Sequence, residues 1–167
     1  MNKNQVTLAF ALNNGYASIE ECIFHINNPH VEIVVDKPYK MNFFDDNGHV
    51  FKAYPDFYDK SSLTVIEYKA HQLNNYQTKE SCQQKLDNQK EFRGKVTSFD
   101  KLKFGWNHSM YKQRIVQRTL ESLGHKMLVV FSDTTKLSTR NKNLMKKIDL
   151  TWCWEKDLPE YLDMRIH

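Results

Sequence analysis

Apolar residues recur at helical spacing between Ser18 and Ile26, where Ile19, Cys22, Ile23 and Ile26 share a face. Ser18 is placed to cap the start, with Glu21 three residues on. This spacing predicts a short amphipathic helix. Val31 to Val35 is rich in β-branched residues and closes at Asp36-Lys37-Pro38, which predicts a strand stopped by proline. Tyr39 to Phe44 and His49 to Phe57 flank Asp45-Asp46-Asn47-Gly48. The Asn-Gly pair suits a tight turn needing positive φ, so the two stretches predict a β-hairpin. Leu63 to Lys69 adds another strand and turns the hairpin into a meander. Thr78 to Phe92 is polar and rich in Gln and Lys, and reads as helical with few apolar anchors. In Asn107 to Leu123 a stripe of Tyr111, Ile115, Val116, Leu120 and Leu123 predicts a longer helix. Lys112, Arg114 and Arg118 fall on its other faces, and Gly124 is placed to end it. Lys126 to Ser132 and Ile148 to Trp154 predict two more strands, the second by strict alternation. The pattern as a whole is that of an α/β chain with a mixed sheet, one folding unit over residues 1–167.

Composition narrows the class. A chain of 167 residues and 19.9 kDa, with 40% hydrophobic and 26% charged residues, can bury one core, so it is neither disordered nor a miniprotein scaffold. No apolar run approaches the roughly 20 residues that span a bilayer. Met1 to Leu12 lacks a basic region followed by a cleavable apolar segment, so an unexported chain that binds no membrane is expected. Cys22, Cys82 and Cys153 are odd in number and form no CxxC pair. They encode neither a disulfide framework nor a zinc knuckle, and fit a reducing, cytoplasmic setting.

Charge is unevenly placed. Met1 to Thr78 has 6 Lys+Arg against 9 Asp+Glu, Lys79 to Lys147 has 16 against 6, and Ile148 to His167 has 2 against 5. The basic excess therefore sits mid-chain, interleaved with Phe92, Phe99, Phe104, Trp106 and Tyr111. A surface that follows a phosphate backbone has this composition. It makes Arg114 and Arg118 candidate DNA contacts.

Two phrases carry candidate chemistry: Tyr54-Pro55-Asp56-Phe57 at the end of one expected strand, and Ile66-Glu67-Tyr68-Lys69 at the end of the next. Side chains alternate along a strand, so Glu67 and Lys69 share a face and Tyr68 takes the other. If an antiparallel neighbour brings Asp56 alongside, two carboxylates and an ammonium converge. Carboxylates held together repel and raise each other's pKa. A divalent cation removes that cost, and hard oxygen donors suit Mg²⁺. The metal would polarise a phosphodiester and activate a bound water, with Lys69 orienting that water. A plain salt bridge among the three residues is the structural alternative. His71, just past the second phrase, is a candidate phosphate contact. Asp45 and Asp46 read as turn residues, His25 with Cys22 as helix packing, and Trp152 with Trp154 as core.

Pro55-Asp56 followed by Glu67-Tyr68-Lys69 resembles the signature of the PD-(D/E)xK nuclease superfamily. Small phage junction-resolving endonucleases and TnsA-type transposon nucleases have phrases of similar form. The resemblance covers about Ser18 to Lys69, and more loosely Asn107 to Ser132. It implies a restriction-endonuclease-like αβββαβ core, with residues of about 70–105 as an insertion. It further implies a helix glutamate at the metal site, Glu20 or Glu21 with Glu20 favoured, and the backbone carbonyl of Tyr68 as a further ligand. Lys112 and Gln113 would stand close to the scissile phosphate. The implied protein is a Mg²⁺-dependent DNA endonuclease, with Mn²⁺ as a substitute metal, working in a bacterial or phage-infected cell. Cutting both strands would call for a homodimer. The competing reading is a nucleic-acid-binding protein that keeps the fold without catalysis.

Overall fold

The computed structural model describes residues 3–34, 42–70 and 99–166. Helix α1 spans Leu8–Asn13 and α2 spans Ile19–Asn27, and β1 is the short strand Glu32–Ile33. Strands β2 (Asn42–Phe44) and β3 (Val50–Lys52) form a hairpin. Strands β4 (Phe57–Asp59) and β5 (Thr64–Lys69) lead to the long helix α3 (Phe99–Ser122). Strand β6 (Lys126–Phe131), helix α4 (Thr139–Lys147), strand β7 (Trp152–Trp154) and helix α5 (Leu158–Ile166) complete the order. The expected helix from Thr78 to Phe92, together with His71 and Cys82, lies outside the described residues.

Five strands pair in the order β1-β4-β5-β6-β7, antiparallel across β1/β4/β5 and parallel across β5/β6/β7. The fold is therefore mixed α/β with a mixed-orientation sheet. Helices cover both faces. Val65, Met127, Val129 and Phe131 meet Met110, Val116 and Leu120 of α3 and Met145 of α4 on one side. Ile66, Tyr68, Leu128 and Val130 meet Phe24 of α2 with Leu158 and Leu162 of α5 on the other. Met127 to Phe131 are buried without a break, which is the pattern of a parallel strand covered on both faces.

Local chemistry explains why these elements start and stop where they do. The Ser18 hydroxyl accepts from the Glu21 N–H at 3.1 Å and caps α2. Gly124, at φ +85°, lets the chain leave α3 in the left-handed region, and the His125 N–H then returns to the Leu120 carbonyl at 2.9 Å. Gln117 is fully buried on α3, where a hydrocarbon would be expected. Its Nε2 donates to the carbonyls of Thr151 at 2.6 Å and Met127 at 3.3 Å, and its Oε1 accepts from the Thr151 N–H at 3.1 Å. This side chain ties α3 to β6 and to the residue that enters β7.

Several expectations are corrected. The hairpin β2–β3 forms at the expected turn, where Asp45 Oδ1 accepts from the N–H groups of Asn47 and His49. It is a separate two-stranded sheet, so it does not continue into the meander. The strand expected over His49 to Phe57 stops at Lys52. Pairing resumes at Phe57, two residues past Pro55, which has no N–H to donate. Asp56 accordingly lies just ahead of β4 and does not end β3. The apolar stripe of α3 is rotated from the expected one: Met110, Val116, Gln117 and Leu120 are buried, whereas Tyr111 and Leu123 are 45% and 54% exposed. Helix α3 also begins at Phe99, inside the stretch taken as an insertion.

Candidate active site

Asp56 is held on both sides by main chain. Its N–H donates to the Ile66 carbonyl at 3.1 Å, and its own carbonyl accepts from the Val34 N–H at 3.1 Å. The residue thus sits between the β1 edge and β5. Phe57 pairs with Ile66 across the antiparallel ladder, which carries Asp56 to the level of Glu67. Asp56 Oδ2 accepts from the Tyr68 N–H at 2.8 Å. Ile66 and Tyr68 point into the core shared with α2 and α5. Glu67 and Lys69 stand on the opposite face with Val65, on the side covered by α3. Lys69 Nζ lies 3.2 Å from Glu67 Oε1, and these side chains are only 20% and 15% exposed. The antiparallel pairing therefore gathers the three residues that the sequence placed in separate phrases.

Their electrostatics are unfavourable to ionisation. Burial, then the charges of Glu67 and Glu21, push the Asp56 carboxyl up to about 9, against the weaker opposing pull of the Tyr68 N–H and Lys69. Burial also raises Glu67, and Glu21 adds to the rise, while the neighbouring Lys69 ammonium pulls it back.

Of the two helix glutamates, Glu21 is the one whose charge acts on Asp56 and Glu67. Capping by Ser18 sets Glu21 at the third helical position, where its side chain turns back over the cap and Oε2 accepts from the Ala17 N–H at 2.9 Å. Gly15, Tyr16 and Ala17 form one wall of a small cavity of about 170 Å³, and Glu21 and Asp56 line it together. Glu20 is not among the residues lining that cavity. The deciding signal was present in the sequence, since the Ser-x-x-Glu capping pattern that starts the helix also aims the second glutamate backwards.

Tyr68 gives its amide to Asp56, and its backbone lies between Glu67 and Lys69 on β5. Its ring is stacked on Phe24 with centroids 4.4 Å apart, and its hydroxyl donates to Glu155 Oε2 at 3.4 Å. Burial, reinforced by Glu155, raises the Tyr68 phenol. Lys112, Gln113, Arg114 and Arg118 all fall on α3. Lys112 Nζ lies 5.2 Å from the centre of the Phe51 ring, Arg114 lies 3.6 Å from Asp149, and Arg118 lies 4.0 Å from Asp46. Lys112, Arg114 and Arg118 line a larger cavity between α3 and the hairpin, apart from the acids. His25 bonds Tyr16 and the Val31 carbonyl, at 2.7 and 2.8 Å, as a packing residue. Trp152 and Trp154 pack edge-on against Phe131.

Among the described residues, no three His, Cys, Asp or Glu side chains are gathered closely enough to form a ready-made metal cage. The donor chemistry nevertheless fits a hard divalent ion. Asp56, Glu67 and Glu21 interact electrostatically around a single ammonium, a formal excess of two negative charges when all are ionised. Mg²⁺ commonly takes one or two carboxylates and leaves the rest of its shell to water. No family model, no curated protein and no solved structure matches the chain.

Proposed function

We propose that the chain is a Mg²⁺-dependent DNA endonuclease with a PD-(D/E)xK-type active site. The observation that carries the reading is the convergence of Asp56, Glu67 and Lys69 on adjacent antiparallel strands, with Asp56 pushed up to about 9 by burial and neighbouring acids. A strongly perturbed carboxyl that lines a cavity, with a second perturbed acid and a lysine on the neighbouring strand, is a functional-site pattern more than a structural one. The order of a helix, antiparallel strands, a long helix and a further strand around the site agrees with a restriction-endonuclease-like core.

Asp56 and Glu67 would hold the metal, with Glu21 as the helix acid and the Tyr68 carbonyl as a further oxygen donor. The bound ion would supply Lewis-acid polarisation of the phosphodiester and a water of lowered pKa. Lys69, paired with Glu67, would orient the attacking water and stabilise negative charge developing on phosphate oxygens. The Tyr68 N–H holds the Asp56 carboxyl in place and would orient it toward a bound ion. Cations of α3 would contact the DNA backbone, giving an affinity that falls steeply with salt. One such site cuts one strand, so double-strand cleavage would require two copies of the chain.

Supercoiled plasmid, linear duplex and a four-way junction incubated with Mg²⁺, Mn²⁺ or EDTA test the reading beside Lys69→Ala and Asp56→Asn. The expected result is metal-dependent cutting that both variants lose while still binding DNA. Binding without cutting by the wild-type chain overturns catalysis in favour of a non-catalytic DNA-binding protein.

A further inference from the structure

The cavity between α3 and the hairpin measures about 620 Å³, within the range of small-molecule sites and well above the roughly 170 Å³ beside Asp56. It is built of two unlike walls. One is apolar and aromatic: Tyr111, Phe51 and Ile115 line it, and Phe51 is backed by the buried Phe43 ring at 5.7 Å. The other carries Lys112, Arg114 and Arg118. The acidic partners of these cations hold them loosely: Arg114 lies 3.6 Å from Asp149, whose side chain is 94% exposed to water. Asp45 is committed to its own turn, accepting from the N–H groups of Asn47 at 2.9 Å and His49 at 2.8 Å, with the His49 ring at 3.3 Å. Asp46 reaches Arg118 only at 4.0 Å, with both side chains more than half exposed, a contact that water screens and a phosphate would readily displace.

Flat apolar surface beside guanidinium groups is the complement of a nucleotide: a base for the aromatic wall and a phosphate for the cationic one. Lys112 already lies against Phe51, whereas Tyr111 keeps 45% of its surface open at the cavity. A base stacked in a duplex cannot present its face to a pocket, so the nucleotide that enters must be unpaired. We infer that the cavity bounded by Tyr111, Phe51, Arg114 and Arg118 receives one unpaired deoxynucleotide of the DNA strand. The chain thereby prefers DNA containing a bulge, flap or branch over perfect duplex. The inference rests on the proposal that DNA is the substrate. It gives α3 a base-recognising role besides backbone attraction.

The test is equilibrium binding in EDTA, which needs no cleavage, using fluorescently labelled perfect duplex, the same duplex with a single-nucleotide bulge, and single-stranded DNA. A preference for the bulged and single-stranded forms of about tenfold is expected. Tyr111→Ala and Arg118→Gln should each reduce it to near parity, and Tyr111→Trp should retain it. Tyr111 and Arg118 are largely exposed, so melting curves should show all variants folded. A loss of preference that Tyr111→Trp restores reports stacking, which a merely structural role would not produce. Equal affinity for bulged and perfect duplex overturns the inference. So does a preference that survives both Tyr111→Ala and Arg118→Gln, or tight binding of a free mononucleotide without discrimination among DNAs. Absence of metal-dependent cleavage with the preference intact would instead refute the nuclease reading and leave the pocket standing.

Discussion

Replacing the Asp56 carboxyl with a neutral amide should stabilise the fold, and the gain should grow with pH. The folded carboxyl is pushed up to about 9 from an ordinary value of 3.8. Between those values the folded chain retains a proton that the unfolded chain has released, so stability falls as pH rises from about 4 towards 9. At pH 7 the gap from the unfolded value is about 3 pH units, which at about 1.4 kcal/mol per unit sets an upper limit near 4 kcal/mol. Some of that cost is relieved by water entering a partly open site, so a gain of about 2 kcal/mol is the working figure. Asp56→Asn keeps an oxygen acceptor for the Tyr68 N–H and removes only the titration. Thermal unfolding in EDTA should show the variant melting about 4 to 8 °C above wild type at pH 7, with the difference closing by pH 4. A variant no more stable than wild type at pH 7, or a gain independent of pH, would refute the assignment of Asp56 as a carboxyl that burial and its acidic neighbours keep from ionising.

Three further outcomes are expected. Mg²⁺ at about 100 times its dissociation constant should stabilise the wild-type chain at pH 8 by about 2.7 kcal/mol and leave Asp56→Asn nearly unmoved, read by calorimetry with and without metal. Glu21→Gln should slow single-turnover cleavage by about 10- to 100-fold, whereas Glu20→Gln should have little effect; the reverse ranking would reassign the helix acid. Gln117→Ala should cost about 2 to 4 kcal/mol, because it opens a space in the core, leaves the Thr151 N–H without its partner and removes the side-chain bonds to the Thr151 and Met127 carbonyls, measured by urea unfolding.

What could be read from the sequence was whatever local chemistry decides. Ser18 and Glu21 announce the start of α2, Gly124 announces the end of α3, and Met127 to Phe131 form a run that only a doubly covered strand needs. Glu67 and Lys69 were readable for the same reason, since alternation along β5 fixes their common face, and antiparallel pairing then brings Asp56 to their level. Tertiary choices were not readable. Nothing local tells the β2–β3 hairpin to leave the main sheet, because its pairing satisfies its backbone equally well in either place. Helix α4 escaped notice because Thr139 to Lys147 offers only Leu144 and Met145 as apolar anchors, and its cap at Ser138 is a weak signal without a periodic face behind it. The rotation of α3 turned on Gln117, a polar residue whose burial depends on carbonyls of β6 and of Thr151, far away in sequence. The choice of Glu21 over Glu20 needed the cap geometry, and the counting of acids alone does not supply it.

The polar groups in the core and at its edge fall into two kinds, and the contrast bears on function. Asp59, 3% exposed at the β4–β5 turn, accepts from both the backbone N–H and the hydroxyl of Ser62, and that hydroxyl also reaches Thr64. Gln117 makes three bonds and serves as both donor and acceptor. In these places polarity and its complement are matched within a few residues or across one interface, as buried polar groups in a stable core must be. Asp56, Glu67 and Glu21 follow a different rule. Their described donors are one ammonium and two backbone N–H groups, the amides of Tyr68 and Ala17, set against six carboxylate oxygens. Selection for stability alone would replace at least one of these acids with an amide or an apolar side chain, because each ionised carboxylate raises the cost of the next. Keeping all three makes physical sense if the complement comes from outside the chain and carries positive charge. On the proposed reading a divalent cation would supply it, since hard carboxylate oxygens suit such an ion, and Lys69, paired with Glu67, would be left to meet phosphate oxygens.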